Sequence, residues 1–154
     1  MGVEPISINS GDFCAQNRRR LYWTNIKVKP WTKKDIKLKD ILEDGIPELS
    51  KLSPGRYRWL MSEKGQNTVT KGYAKIDPDK AGCLTARSDA SWNCNYVTRS
   101  GTITKLTPLE YERLQTLPDG YTEGVSATQR YKTMGNGWTV DVIAHILKGL
   151  SDTV

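Results

Sequence analysis

The 154-residue chain holds a single histidine, His145, and only three cysteines, Cys14, Cys83 and Cys94, with no Cys-x-x-Cys pair. So sparse a ligand set argues against a Cys/His zinc site, and no metal is expected. Three scattered cysteines do not make a disulfide scaffold, which points to a reducing cytoplasm. One histidine without a partner leaves no Ser-His-Asp or Cys-His catalysis within the chain. Neither GxGxxG nor GxxxxGK[ST] occurs, so no nucleotide-phosphate loop is visible. No apolar run approaches a membrane span. The first residues carry Glu4 and Pro5 where a leader would have basic residues and then an apolar stretch, so neither insertion nor secretion is expected. Repeats and low-complexity tracts are absent as well.

What is present is an ordinary globular composition. Hydrophobic residues make up 37%, charged residues 26%, and the mean hydropathy is −0.57. The length suits one domain or two small lobes. Lys and Arg number 23 against 17 Asp and Glu, a net charge of +6. From Arg18 to Lys39 nine Lys/Arg face one acid, Asp35, a local surplus of +8, while the rest of the chain is close to neutral or slightly acidic. Such a cluster is either a solvated face or a surface for a polyanion, and charge alone leaves the two level.

Pro5 to Asn9 alternates apolar and polar residues and reads as a strand, followed by turn chemistry through Asp12. Leu21 to Val28 is rich in β-formers and reads as a second strand. Leu38 to Gly45 reads as a short helix stopped by its glycine. Between about Pro30 and Ser100, repeated proline and glycine predict loops and short strands. There Trp31, Trp59, Trp92, Tyr57, Tyr73 and Tyr96 are interleaved with basic residues, as core for an irregular lobe or as a nucleic-acid surface. Thr107-Pro108-Leu109-Glu110 is a capping box with proline at the first helical position, predicting a helix to about Leu117. Ser126 to Gln129 repeats the box and starts a helix ending near Gly135. Val140, Ile143, Ala144, Ile146, Leu147 and Leu150 recur at helical spacing and must be buried against something.

Three segments in fixed order carry a resemblance. The first is Cys14-Ala15-Gln16-Asn17-Arg18-Arg19-Arg20, which contains Gln-x-Arg-x-Arg. The second is Leu106-Thr107-Pro108-Leu109-Glu110-Tyr111-Glu112-Arg113-Leu114-Gln115, followed by Pro118-Asp119. The third is Met134-Gly135-Asn136-Gly137-Trp138-Thr139-Val140. Together they resemble motifs VIII, IX and X of the DNA (cytosine-5) methyltransferases, most nearly the phage and bacterial members. Thr104 and Thr116-Leu117 depart from that pattern, where the family often has an arginine and a Gly-Phe pair.

The resemblance implies an α/β fold, the C-terminal portion of a Rossmann-like S-adenosylmethionine-dependent methyltransferase with an inserted small, irregular, partly β recognition lobe. Residues 1–28 would end the catalytic domain, 29–103 form the target-recognition region, 104–134 carry motif IX with its connecting helices, and 135–154 return to the catalytic domain. It implies methyl transfer from S-adenosylmethionine to C5 of a cytosine flipped out of duplex DNA. Arg20 would face the cytosine O2, with Arg18 supporting the pocket and Gln16 positioning it. Alternate residues of an extended segment face the same way, so Arg18 and Arg20 would share a pocket that Arg19 does not. Asn136, Gly137 and Trp138 would touch the cofactor, a reading compatible with a plain helix cap there. Arg19, Lys27, Lys29, Lys33 and Lys34 would contact DNA phosphates. Glu110 and Arg113 would make internal contacts.

The family's Gly-rich cofactor loop, Pro-Cys nucleophile and Glu-Asn-Val segment have no counterpart, and no cysteine follows a proline. The expectation is a chain inactive alone, whose partners are duplex DNA and a complementary subunit or N-terminal segment. The alternatives are a non-catalytic DNA-binding relic or accessory subunit, and a chain not stably folded in isolation.

Overall fold

The computed structural model describes residues 2–87 and 94–152, a mixed α/β arrangement of two small sheets and five α-helices. Trp92 lies outside the described residues. No helix among those described is long and apolar enough to cross a membrane.

Strands β1 (Ile6–Asn9) and β2 (Arg19–Tyr22) pair antiparallel, with Ile8 opposite Arg20 and Ile6 opposite Tyr22. The Asn9 side chain turns the chain after β1 by accepting from the Gly11 amide, and it also holds the Arg18 amide at 2.9 Å. The second sheet has the order β3 (Lys75–Ile76), β4 (Asn95–Arg99), β5 (Thr102–Lys105), with β3 parallel and β5 antiparallel to the central strand. Ser100 and Gly101, which join β4 to β5, both have positive φ, as a two-residue type I′ hairpin requires.

The central strand is buried on both faces. Tyr96 points to a cluster with Leu60, Ala74 and Cys94, under helices α1 (Pro54–Met61) and α2 (Glu63–Thr70). Val97 points to a second cluster with Leu106, Tyr111, Leu114 and Met134, built from α3 (Pro108–Leu114) and α4 (Ala127–Asn136). A third cluster joins Ile8 and Phe13 to Val142 and Ile146 of α5 (Val140–Leu147).

Five expectations need correction. The second strand starts at Arg19 and ends at Tyr22. Trp23 to Val28 has β-forming side chains but no strand to pair with, and Thr24 instead caps the Ile26 amide. The segment expected as loops and short strands contains α1 and α2. Ser53 caps the first with Pro54 at its start, and Ser62 both ends α1 and caps α2. Leu38–Ile41 is one turn of 3-10 helix, and α3 stops at Leu114 because Thr116 turns to a φ of 56°. The buried edge of α5 is Val142 and Ile146, whereas Val140, Leu147 and Leu150 are exposed.

Candidate functional site

Where β2 meets the α4–α5 junction, a cleft of about 610 Å³ is lined by Arg18, Arg20, Trp23, Asn136, Trp138 and Leu147, among others. The two arginines and two of the three motif X residues therefore share one cavity. Strand alternation brings the arginines there, as Arg20 and Tyr22 stand on the face that carries Ile8, while Arg19 points away and is exposed.

The two arginines are used differently. Arg18 is buried, and its guanidinium donates to the carbonyls of Leu84 (3.2 Å), Gly135 (3.3 Å) and Gly137 (3.0 Å) and to Cys83 Sγ (3.2 Å). It therefore fastens the α4 C-terminus to β2, a task that needs a planar fork of donors. Arg20 is exposed. One of its nitrogens donates to the Arg19 carbonyl at 2.8 Å and the other to Cys83 Sγ at 3.3 Å, which aims the group along the cleft.

Beneath the arginines lies a buried amide pair. Gln16 is fully buried, donates to the Leu114 carbonyl (3.2 Å) and to Gln115 Oε1 (3.3 Å), and accepts from the Leu84 amide (3.0 Å). Gln115 donates to the Met134 carbonyl at 2.6 Å and accepts from the Thr139 hydroxyl at 2.8 Å. All three motifs are thus bound through two side chains. Sequence reasoning missed Gln115, although a polar residue directly after the buried Leu114 is the signal that could have found it. The hydroxyl of Thr116 accepts from the Asp141 amide at 2.8 Å, so Gln115 and Thr116 together anchor the start of α5.

Asn136 ends α4 and faces the cleft, Gly137 caps the helix with its amide on the Thr133 carbonyl, and Trp138 is 68% exposed. Trp138 also lines a neighbouring apolar cavity of about 400 Å³ with Leu117, Met134, Val140, Ile143 and Leu147. Of the basic cluster, Lys27 and Lys29 are exposed beside the Lys29 carbonyl that meets His145 Nε2 at 2.9 Å. Lys34 pairs with Asp141 at 2.9 Å and Lys33 lies 3.6 Å from Asp12. Lys34 thus ties the segment to α5 and Lys33 lies over the turn after β1, both remaining largely solvated. Lys80, which no sequence motif marks, places its ammonium among the carbonyls of Gly11 (2.7 Å), Cys14 (3.0 Å) and Ile36 (3.0 Å), pinning the turn before Gln16.

Glu110 and Arg113 make the expected internal contacts. Glu110 accepts from the Glu43 and Thr107 amides (2.8 Å each) and pairs with buried Arg99, and burial raises its pKa in spite of these donors. Arg113 forks onto Asp119 and reaches the Ile41 carbonyl at 2.9 Å. For Glu112, burial pushes the pKa up. Donors from Thr122, Arg130 and the Gly120 amide outweigh it, and the net shift is downward. The three cysteines are free thiols, and no cluster able to hold a metal occurs among the described residues. Burial raises the Cys14 thiol.

Residues 37–152 match the family model of the C-5 cytosine-specific DNA methylases. The chain belongs to this family. Type II methyltransferase M.Sau3AI of Staphylococcus aureus is 28% identical over 138 residues, which cover 79% of this chain and 33% of that protein. DNA (cytosine-5)-methyltransferase DRM2 of Oryza sativa subsp. japonica is 26% identical over 173 residues, 97% of this chain and 27% of its own length. The fold is that of Entamoeba histolytica methyltransferase EhMeth (TM-score 0.75, 17% identity), covering 98% of this chain and 53% of that one. Spodoptera frugiperda DNMT2, crystallised as a mutant, aligns with TM-score 0.68 at 16% identity, over 96% of this chain and 57% of its own. The chain thus spans about a third of the curated relatives it matches and about half of these solved structures.

Proposed function

We propose that this chain provides the cytosine-pocket arginine, the motif X turn and the target-recognition lobe of a DNA (cytosine-5) methyltransferase acting on duplex DNA in the cytoplasm. The observation that carries this reading is the cleft itself, in which exposed Arg20 stands beside Asn136 and Trp138.

Attack on C6 of a flipped cytosine by a thiolate drives negative charge onto the ring and its O2. Arg20, aimed by Cys83 and the Arg19 carbonyl, supplies fixed positive charge there and lowers the barrier. Arg18 and Gln16 act at one remove as positioning residues, because their polar groups are committed to the backbone. The Asn136 amide and the exposed Trp138 ring, one polar and one aromatic, fit a ligand with an amino-acid end and a flat base, and with Gly137 they would border S-adenosylmethionine. That cofactor supplies the methyl group when bound. Arg19, Lys27, Lys29, Lys33 and Lys34 would meet phosphates, and residues 29–103 would carry recognition. The nucleophile and cofactor loop would come from a complementary segment covering the apolar rim of Trp138, Val140 and Leu147.

The test mixes this chain, labelled S-adenosylmethionine and duplex DNA with and without a segment carrying the missing motifs. Methylation on mixing, lost with Arg20→Ala while the fold persists, is the expected result. Salt-sensitive DNA binding with no activity in any mixture would instead leave a non-catalytic DNA-binding relic.

A further inference from the structure

The lobe carries a second basic cluster. Between Lys51 and Lys75 six Lys or Arg face the single acid Glu63, a surplus of +5 that acids elsewhere conceal in the whole-chain count. Its centre is α2. Gly65 and Val69 form the inner edge of that helix, with Val69 packed against the Leu60 cluster. On the opposite side Lys64, Asn67 and Lys71 recur at one-turn intervals. All three are exposed, and none makes a side-chain hydrogen bond or ion pair among the described residues.

The geometry of α2 is fixed. The Ser62 hydroxyl donates to the Trp59 carbonyl (2.6 Å) and accepts from the Gly65 amide. A Cβ on Gly65 would stand 2.2 Å from the Trp59 carbonyl oxygen, so only glycine allows this approach to α1. At the other end Gly72, at a φ of 74°, closes the helix in a Schellman motif, its amide on the Val69 carbonyl and that of Tyr73 on the Thr68 carbonyl. That turn delivers Tyr73 and Lys75 into a polar cleft of about 300 Å³, with Asn17, Cys83 and Asn95 on its walls. The C-terminal turn of this basic, amide-bearing helix thus leads into the cleft walled by Cys83, the residue that holds Arg20.

We propose that this face of α2, with Tyr73 and Lys75, is the edge that reads duplex DNA, Lys64 and Lys71 on phosphates and the Asn67 amide on a base edge in the major groove. A rigid helix with an unpaired amide between two lysines is the chemistry that both anchors on a phosphate backbone and distinguishes a base pair. The inference rests on the assignment of residues 29–103 to recognition and names the element that performs it.

The experiment selects binding sites from a pool of random duplexes with the full chain and measures affinity against salt. Lys64→Ala with Lys71→Ala should weaken binding about tenfold on every sequence and lower the salt slope by about 2. Asn67→Ala should relax the preference at one position of the selected site by about tenfold, with total affinity less affected. Unchanged thermal melts would certify the fold. If these variants bind and select as the wild type while Lys27→Ala with Lys29→Ala loses affinity, this inference is overturned and the broader DNA-binding reading stands. If the wild-type chain binds no duplex, both fall.

Discussion

The side-chain amides of Gln16 and Gln115, separated by 99 positions, meet at 3.3 Å and are both fully buried. Gln16 uses its remaining capacity on the Leu114 carbonyl of the second motif and the Leu84 amide of the lobe, and Gln115 on the Met134 carbonyl of the third motif and the Thr139 hydroxyl. The family motifs are thus one hydrogen-bonded object.

Gln115→Ala should therefore cost about 2–4 kcal/mol, since it strands several buried polar partners rather than one. Urea unfolding of Gln115→Ala, Gln16→Ala and the double variant should give a coupling of about 1 kcal/mol or more. Strict additivity would refute the link.

Arg18 and Arg20 should separate cleanly in a melt. Arg18→Lys replaces a fork serving three carbonyls with a single ammonium and should lower stability by about 2 kcal/mol. Arg20→Lys should leave the melting temperature within about a degree, because the group is exposed, an effect well under 0.5 kcal/mol. Equal losses would contradict the division of roles.

Thr116 explains one departure from the family pattern. A β-branched residue at a φ of 56° is strained where the family's glycine is at ease, but its hydroxyl takes the Asp141 amide at the start of α5. Thr116→Ala keeps the strain and loses the bond, so it should destabilise by about 1–2 kcal/mol. Thr116→Gly exchanges one for the other and should fall within about 1 kcal/mol of wild type.

Acid sensitivity should reside in Glu112 and, at a more exposed position, in Asp119 held down by Arg113. The Glu112 pKa in the folded protein lies below the unfolded value, so its stabilising contribution is complete above the unfolded value and disappears as pH falls through the folded one. Glu110 is shifted the other way and partly offsets this over the range between its two values. Glu112→Gln should flatten the loss of stability on acidification from pH 5 to pH 3, read by denaturation at several pH values. An unaltered slope would exclude Glu112 as a source.

Local chemistry was the legible part of the sequence. The capping box at Thr107 and the N-cap serine at Ser126 announce α3 and α4 because cap bonds form within four residues. The strand alternation that turns Arg18 and Arg20 to one side was equally readable. Ser53-Pro54 carries the same kind of signal for α1, but the surrounding glycines and low hydrophobic periodicity obscured it. The extent of β2 was not readable, since Trp23 to Val28 has strand-forming side chains and lacks only a partner. Nor were Lys80 and Cys83 readable as contacts of the site, because their partners Gly11, Cys14 and Arg20 lie 63 to 69 positions away, and Gln115 was marked only by its polarity after Leu114, with Gln16 99 positions away.

The amide pair and the Arg18 fork also order events in time. Helices α1 and α2 and the β4–β5 hairpin close over short stretches of chain, whereas Gln16 and Arg18 must find groups 98 to 119 positions downstream. Closing such long loops is slow. The lobe is expected to form first and the cleft last, so the arginines gain their working arrangement only once the end of the chain has returned.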